Sequence, residues 1–295
     1  MMGGAGAVAD VVCCCLRLVL LALAAMPLAA AEIVSYGRPS ADIDREASYP
    51  VDLLQLALGK SGREYQLQPS AEVIPQSRAI ALLRANEVID VLWTVTSPER
   101  ERLLLPVRIP IDRGVYGWRL FLIHADAQPR FDAVTELAGL AALTAGQGHD
   151  WPDLTILRAA GLKVTAGSSY DGLFEMLARE RIDYYPRALP EVFVELQQRR
   201  QLPLSVETTL ALHYPSAMYF FVSPANPQLA TALELGLEQA IVDGSFQRLF
   251  DHYFGAAIAQ ARLGERKVLE IDNPLLPDLL TRSDPRYWFK LTADP

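Results

Sequence analysis

Cysteine is confined to one short stretch of this sequence. All three cysteines stand at positions 13 to 15, within the first 31 residues. The rest of the chain therefore has neither a thiol nucleophile nor a pair of cysteines for a disulfide bond. Histidine is scarce too, and the four histidines lack the short spacings of zinc ligands: His124, His149, His213 and His252. We expect no metal site and no cofactor.

Motifs for covalent or phosphate chemistry are also lacking. No Gly-x-Ser-x-Gly elbow occurs, because the segment GSSY at 167–170 continues with Asp171, and no phosphate-loop lysine motif is present. Glu99 and Glu175 are carboxylates that a cleft dehydratase or lyase would use, but nothing in the sequence pairs an acid with a base. We expect a protein that is not an enzyme, and a cleft enzyme is the least favoured alternative.

The sequence has no excess of positive charge. It contains 27 Lys and Arg against 35 Asp and Glu, which gives a net charge of −8. Binding to nucleic acid depends on clustered Lys and Arg that neutralise phosphates. Nucleic acid is therefore not an expected partner, whereas the charge leaves small ligands open.

Only one long apolar run occurs, and it lies at the start of the chain. Arg17 precedes the apolar block 18–25, and small residues at 28–31 precede Glu32. This is the layout of a secretory signal peptide, residues 1–31, cleaved after about Ala31. A retained anchor is the alternative, since Asp10 lies where a basic residue is usual. The cysteines precede the apolar block, which argues against a lipoprotein, and we expect a periplasmic protein.

Beyond the leader, short apolar strands alternate with amphipathic helices. Strands at 32–36, 64–68 and 88–95 enclose a helix at 49–60 and a second helix that Ser77 caps. A similar α/β unit spans about 126–204. Strands at 206–212 and 217–222 and helices at 227–242 and 245–254 follow. This order predicts an α/β fold of two units, each a mostly parallel sheet flanked by helices.

The first candidate binding element is the turn after the third strand. Thr94 and Ser97 supply hydroxyl groups there, and Arg100 supplies a guanidinium. Together with the first free N–H groups of a short helix, they favour a ligand carboxylate. The alternative is a solvated helix in which Arg100 pairs with Glu99 or Glu101.

Other candidates stand where further predicted strands end. Tyr36 and Arg38 follow the first strand, and ligands of open α/β sheets usually bind at this edge. The remaining candidates follow later strands: Gln147, Gly148, Tyr185 and Arg187. Tyr36 and Tyr185 have a structural alternative, because aromatic rings at strand ends often belong to the core, and the alternative for Gln147 is a turn. For Arg187 the alternative is an ion pair at the surface or between the two units.

Several segments, in this order, resemble the family 3 extracytoplasmic solute-binding proteins, the amino-acid-binding type of periplasmic binding protein. They are the turn SPER at 97–100, the strand at 115–123, YDGLFEMLARERIDYYP at 170–186 and DGSFQRLFDHYFG at 243–255. The resemblance covers Glu32 to about Phe254. It implies the two-lobed type II fold, in which two crossing strands join the lobes and a hinge closes them around a ligand.

The resemblance also implies the domain limits and the hinge. Lobe 1 would comprise 32–115 and 215–263, the hinge strands and lobe 2 would comprise 116–214, and 264–295 would be a C-terminal extension. The hinge itself would lie near 116–121 and 208–218.

For the site, the resemblance implies that Arg100 clamps a ligand carboxylate, with Ser97 as its hydroxyl partner. An acid from lobe 2 would hold the ligand ammonium, but the matching strand exit carries Arg187 instead. The segment 90–100 is also about two residues shorter than in the family. We expect a monomer that captures a small polar, carboxylate-bearing ligand for an ABC-type permease. The alternative is a periplasmic sensory partner of a signalling protein with degenerate specificity.

Overall fold

The computed structural model describes residues 31–38, 48–276 and 284–291. The predicted signal peptide therefore lies outside the described residues, apart from its last position. Within the described ranges, none of the helices combines the length and apolar character that a membrane crossing requires.

The first sheet has five strands in the order β2-β1-β3-β11-β4. Their bounds are β1 Glu32–Tyr36, β2 Tyr65–Pro69, β3 Val91–Val95, β4 Leu105–Val107 and β11 Met218–Val222. β1 pairs in parallel with β2 and β3, whereas β11 runs antiparallel to both β3 and β4. Five helices accompany this sheet: α1 Tyr49–Lys60, α2 Gln76–Ala85, α3 Pro98–Leu103, α9 Pro227–Val242 and α10 Ser245–Ala261. We call this sheet with these helices lobe 1.

The second sheet follows the order β12-β10-β5-β8-β6-β7, with β9 also paired to β5. The strands are β5 Trp118–His124, β6 Thr144–Gly148, β7 Lys163–Gly167, β8 Tyr184–Ala188, β9 Leu204–Val206, β10 Leu210–His213 and β12 Lys267–Glu270. The helices are α4 Gln128–Asp132, α5 Leu137–Ala141, α6 Pro152–Ala159, α7 Tyr170–Ala178 and α8 Leu189–Gln198. We call this sheet with these helices lobe 2.

The sheets are mixed, and the reason is the path of the chain. β6, β7 and β8 are parallel, as the alternation of strands and helices predicts. β5, with which the chain enters lobe 2, runs antiparallel to β8. β11, with which the chain returns to lobe 1, runs antiparallel to β3. The antiparallel pairs therefore involve strands that carry the chain between the lobes.

Helix α1 shows how lobe 1 is packed. The predicted apolar face is confirmed, because Leu53, Leu54, Ala57 and Leu58 are all buried. Helix α9 packs closely on this face at Gly236, where a Cβ atom would lie 1.8 Å from the carbonyl oxygen of Ala57. Glycine at this position thus sets the distance between the two helices.

Two connections join the sheets, at 108–117 and at 214–217. Asp112 in the first connection is buried and accepts a hydrogen bond from the backbone N–H of Met218, at 3.0 Å, just after the second. The backbone N–H of Tyr214 donates to the carbonyl oxygen of Gly117 at 3.2 Å. A Cβ atom on Gly117 would lie 2.2 Å from the carbonyl oxygen of Tyr214. The two connections therefore touch, and a glycine is required where they meet.

The C-terminal extension passes between the lobes again, in addition to the two crossing strands that the resemblance implies. After α10 in lobe 1, the chain forms β12 on the sheet of lobe 2. Residues 284–291 then lie against lobe 1 and the first connection, through contacts to Glu238 and Arg113. The predicted domain limits stay a prediction, although β12 shows that the extension joins a sheet.

Some predicted elements begin or end elsewhere. Ser77 does not cap α2, which begins at Gln76 after Pro75 and has no side-chain cap. The strand predicted at 206–212 is divided into β9 and β10, because the buried carboxylate of Glu207 accepts the backbone N–H groups of Thr209 and Leu210, both at 2.7 Å. Between β5 and β6 the chain forms two short helices, α4 and α5.

A groove of about 710 Å³ runs between α8 of lobe 2 and α10 of lobe 1. Phe193 and Leu196 line one wall, and Tyr253 and Ala257 line the other. The largest core cluster also contains residues of both lobes.

Candidate ligand-binding cleft

The candidate residues of the two lobes lie at the ends of their sheets next to the connections. In lobe 1, Val95 at the end of β3 pairs with Met218, the first residue of β11. In lobe 2, Ala188 at the end of β8 pairs with Arg119, the second residue of β5. Because both pairs stand directly beside a connection, the turn after β3 and the exit of β8 flank the same region of the molecule.

Arg100 is held in place by groups of lobe 1. Its guanidinium donates to the backbone carbonyl of Val95 and, at 2.9 Å, to Oε1 of Gln76. Nε2 of Gln76 donates in turn to Oγ1 of Thr94 at 3.1 Å. Ser97 caps α3, since its hydroxyl accepts the backbone N–H of Arg100 at 3.2 Å. Thr94, Ser97 and Arg100 therefore form one cluster, joined by Gln76.

The guanidinium of Arg100 keeps donors for a further partner. Partial burial lowers the pKa of Arg100, although the nearby charge of Glu99 opposes the shift. Within the described residues Arg100 forms no ion pair with Glu99 or Glu101, and Glu101 pairs with Arg108 at 2.6 Å instead. A guanidinium carries five N–H donors, so donors remain after the bonds to Val95 and Gln76.

An aromatic pair and a second arginine complete the lobe 1 edge. The rings of Tyr36 and Trp93 lie 5.9 Å apart and are half-buried. Arg38 is exposed, but its Nε donates to the carbonyl oxygen of Ser70 at 2.9 Å. Its backbone N–H also donates to the hydroxyl of Ser70 at 2.9 Å. Arg38 is thus fixed at the end of β1.

Arg187 in lobe 2 is buried among carboxylates. Its Nε and Nη2 donate to the two carboxylate oxygens of Glu195 at 2.7 and 2.5 Å, and Nη2 also donates to Glu191 at 2.8 Å. Burial opposes its charge, yet these carboxylates more than offset the effect and raise the pKa of Arg187. Arg187 is therefore engaged in an ion pair within its own lobe, rather than at the surface or between the lobes.

Aromatic rings surround the guanidinium of Arg187. The rings of Trp151 and Tyr185 each lie 4.9 Å from its carbon atom, and the ring of Tyr170 lies 5.6 Å away. The Tyr170 hydroxyl donates to Glu195 at 2.6 Å. Such cation–π contacts stabilise a desolvated guanidinium. Tyr185 itself is fully buried, so its ring supports the arginine from inside the lobe.

Glu191 brings a carboxylate to the same edge. It lies in the first turn of α8, is partly buried, and uses Oε2 to accept the bond from Arg187. Its other oxygen accepts no hydrogen bond from the described part of the chain. Burial raises the pKa of Glu191, although Arg187 opposes the shift. This carboxylate thus has an acceptor available on the lobe 2 side.

Gln147 and Gly148 lie inside lobe 2, at the end of β6. Gln147 is fully buried, and its Oε1 accepts the backbone N–H of Gly148 at 3.1 Å. Its Nε2 has no hydrogen-bond partner among the described residues. A Cβ atom on Gly148 would lie 2.7 Å from the ring of Trp151, so glycine allows that ring to pack on the strand.

A second charged group at this edge, Arg119 with Asp153, is not predicted from the sequence. Nη2 of Arg119 pairs with Asp153 at 2.6 Å, and the Tyr214 hydroxyl donates to the same carboxylate. Gln76, Glu191 and Glu195 were missed as well. The spacing gave a usable signal for the last two, because positions four and eight residues after Arg187 share one face of a helix.

The structure therefore forms two groups of predicted residues. The lobe 1 group is Thr94, Ser97 and Arg100, with Tyr36 and Arg38 at a neighbouring strand end. The lobe 2 group is Gln147, Gly148, Tyr185 and Arg187. Among the described residues no hydrogen bond joins the two groups, and no cluster of His, Cys, Asp or Glu there is fit to hold a metal ion.

Comparison with known proteins matches this architecture to solved structures. A Salmonella typhimurium periplasmic binding protein with high arginine specificity aligns with a TM-score of 0.52 and 14% identity, over 76% of this chain and all (100%) of that one. The substrate-binding protein of an amino acid ABC transporter aligns with a TM-score of 0.51 and 12% identity, over 76% of this chain and 99% of that one. The chain has the two-lobed periplasmic-binding-protein fold.

This periplasmic-binding-protein fold also occurs in a signalling context. A histidine kinase sensor domain with similarity to periplasmic binding proteins aligns with a TM-score of 0.52 and 16% identity, over 77% of this chain and 96% of that one. No family model and no curated protein matches the sequence. The aligned proteins are thus two binding proteins and one sensor domain, and the likeness concerns the fold.

Proposed function

We propose that this protein is an exported solute-binding protein that captures a small carboxylate-bearing ligand between its lobes and delivers it to an ABC-type permease. The observation that carries the proposal is the fixed guanidinium of Arg100. Val95 and Gln76 hold it at the end of β3, beside the connections between the lobes. Its remaining donors suit the two oxygens of a carboxylate, which arginine binds in a planar fork.

The lobe 2 edge supports a ligand that also carries an ammonium group. The matching strand exit has Arg187 where an acid was expected, but Glu195 and Glu191 neutralise this arginine. The free oxygen of Glu191 then supplies an acceptor four residues further along the chain. An α-amino acid, with a carboxylate for Arg100 and an ammonium for Glu191, is the ligand class we propose.

A thermal-shift screen tests this function. Amino acids, simple carboxylates and sugars are added to the purified protein, and a ligand that binds only the folded state raises the unfolding free energy by about 2.7 kcal/mol at a hundred times its Kd. Arg100→Ala should abolish the shift. Arg102→Ala is the matched control, since Arg102 is exposed on the same short helix. An unchanged shift in Arg100→Ala would remove Arg100 from the site.

The Glu191→Gln variant tests whether Glu191 contacts the ammonium group of the ligand. We expect it to weaken binding of amino acids more than binding of the corresponding simple carboxylates, because only amino acids carry the ammonium group. Equal effects on both ligand series would show that Glu191 does not contact the ligand.

A second candidate function is sensing, which the similarity to a histidine kinase sensor domain favours. In that case the closed protein would bind a signalling protein instead of a permease. Ligand-dependent uptake into cells that lack or carry the gene distinguishes the two roles: transport predicts loss of uptake on deletion, and sensing predicts normal uptake. Turnover of a bound ligand would instead indicate a cleft enzyme.

Export through a cleaved leader is part of the proposal. N-terminal sequencing of the protein from the periplasmic fraction should give Glu32 as the first residue. A chain that stays with the membrane and keeps its first 31 residues would show a retained anchor instead.

A further inference from the structure

The C-terminal extension contacts both lobes and both connections. Strand β12 pairs in parallel with β10 of lobe 2, from Lys267 opposite Leu210 to Glu270 opposite His213. The guanidinium of Arg266 secures the start of this strand. It donates to the backbone carbonyl oxygens of Glu207 and Leu210 at 2.6 and 3.0 Å in lobe 2, and to that of Ala261 at 2.6 Å at the end of α10.

The extension next meets the second connection. The side-chain amide of Asn273 donates to the carbonyl oxygen of Pro215 at 2.8 Å. Leu275 packs on a core cluster of lobe 2, whereas the following residue, Leu276, packs on a core cluster of lobe 1. Two neighbouring side chains therefore pack against different lobes.

Residues 284–291 cover the first connection. The backbone N–H of Phe289 donates to the carbonyl oxygen of Arg113 at 2.8 Å, and the Arg113 guanidinium donates to the carbonyl oxygen of Trp288 at 3.1 Å. The Trp288 ring lies over Gly114, where a Cβ atom would approach it to 2.7 Å. Gly114 also has a positive φ of 76°, so the connection adopts a conformation suited to glycine beneath the ring.

The same segment reaches a residue of each lobe. The Phe289 ring meets Trp118, at the start of β5, edge to face with 6.4 Å between centroids. The hydroxyl of Tyr287 donates to Glu238 on α9 of lobe 1. Trp118 stacks on His213 at 4.2 Å, and His213 pairs with Glu270 of β12 at 2.6 Å. Strand β12 and residues 284–291 therefore meet at one aromatic stack beside the connections.

We propose that residues 267–276 and 284–291 form a strap that limits rotation of the lobes about the two connections. Closure in such folds is absorbed by backbone changes in a few connecting residues, which here are 108–117 and 214–217. Because the strap is bonded to both connections and to both lobes, a large rotation must separate Trp288 from Gly114 or Asn273 from Pro215. The strap therefore sets the range of lobe angles of the ligand-free protein.

The test measures the distance between the lobes without any ligand. Spin labels at Arg78→Cys in lobe 1 and Thr155→Cys in lobe 2, both exposed positions, report the separation by pulsed electron resonance. The chain after the leader has no other cysteine. We expect a narrow distance distribution for the otherwise unchanged protein and a clearly broader one when Trp288→Ala and Phe289→Ala are combined.

A control and a second variant keep the test decisive. Leu291→Ala removes an exposed side chain of the same segment and should leave the distribution narrow. If the double variant does not fold, a chain that ends at residue 283 replaces it, and adding a peptide of residues 284–295 should narrow its distribution again. An unchanged distribution in a folded variant, or no narrowing with the peptide, overturns the proposal. Because no ligand is used, the result is independent of what the cleft binds.

Discussion

Asp112 is predicted to make the stability of this protein fall as the pH rises from about 4 to about 6. The carboxylate is 1% exposed and accepts backbone N–H groups of Met218 and Tyr116, at 3.0 and 3.4 Å. Burial raises its pKa from 3.8 to about 6, although these hydrogen bonds favour the charged form. Burial also raises the pKa of the nearby Tyr49 and lowers that of Arg113.

The size and sign of this change in stability follow from the difference between the pKa of Asp112 in the folded state and in the unfolded state. Between pH 3.8 and about 6 the folded state binds more protons than the unfolded state, so the free energy of unfolding decreases as the pH rises. The difference is about two pKa units, and one unit corresponds to 1.36 kcal/mol, so the loss amounts to about 3 kcal/mol. The contribution is complete below pH 3.8 and is lost above about pH 6.

Urea unfolding of the natural protein and of Asp112→Asn at several pH values between 4 and 7 measures this loss. The amide keeps an acceptor oxygen but does not titrate, so its fixed cost is the same at each pH. We expect the stability of Asp112→Asn, relative to the natural protein, to rise by about 3 kcal/mol across the range. Parallel stability curves for the two proteins would refute the reasoning.

Other predictions concern packing and the buried ion pair. Arg187→Ala and Glu195→Gln should each lower the free energy of unfolding by about 3–5 kcal/mol, because each leaves a buried partner uncompensated. The double variant should lose much less than the sum in urea unfolding, and additive losses would contradict a direct pair. Gly236→Ala should destabilise by about 1–3 kcal/mol through its clash with Ala57. Gly59→Ala, in α1 with open space around it, should stabilise by up to about 1 kcal/mol, and equal effects of the two glycine variants in thermal unfolding would count against the packing argument.

Local patterns were enough for much of the fold. The period of Leu53, Leu54, Ala57 and Leu58 predicts the buried face of α1, and alternating strands and helices predict the parallel part of each sheet. The turn that bears Arg100 is predicted by residue types favoured at helix starts that follow an apolar strand. These features depend on neighbours within a few residues, so the sequence alone carries them.

Long-range partners could not be found in this way. Gln76 reaches Arg100 across 24 positions in the chain, and Asp112 binds Met218 across 106. The β12 strand gave little periodicity, because four residues at a sheet edge contain too few alternations. The division between β9 and β10 depends on the buried carboxylate of Glu207. In the sequence, Glu207 has the pattern of an ordinary polar residue within a strand.

The groove between α8 and α10 is a place where a fluorophore can report the angle between the lobes. Phe193 and Leu196 on one wall move with lobe 2, whereas Tyr253 and Ala257 on the other wall move with lobe 1. A change of the lobe angle therefore alters the width of this groove, which lies apart from the turn bearing Arg100. An environment-sensitive fluorophore attached at Ala257→Cys would change its emission with that width, which makes this face a reporter for ligands that have no signal of their own.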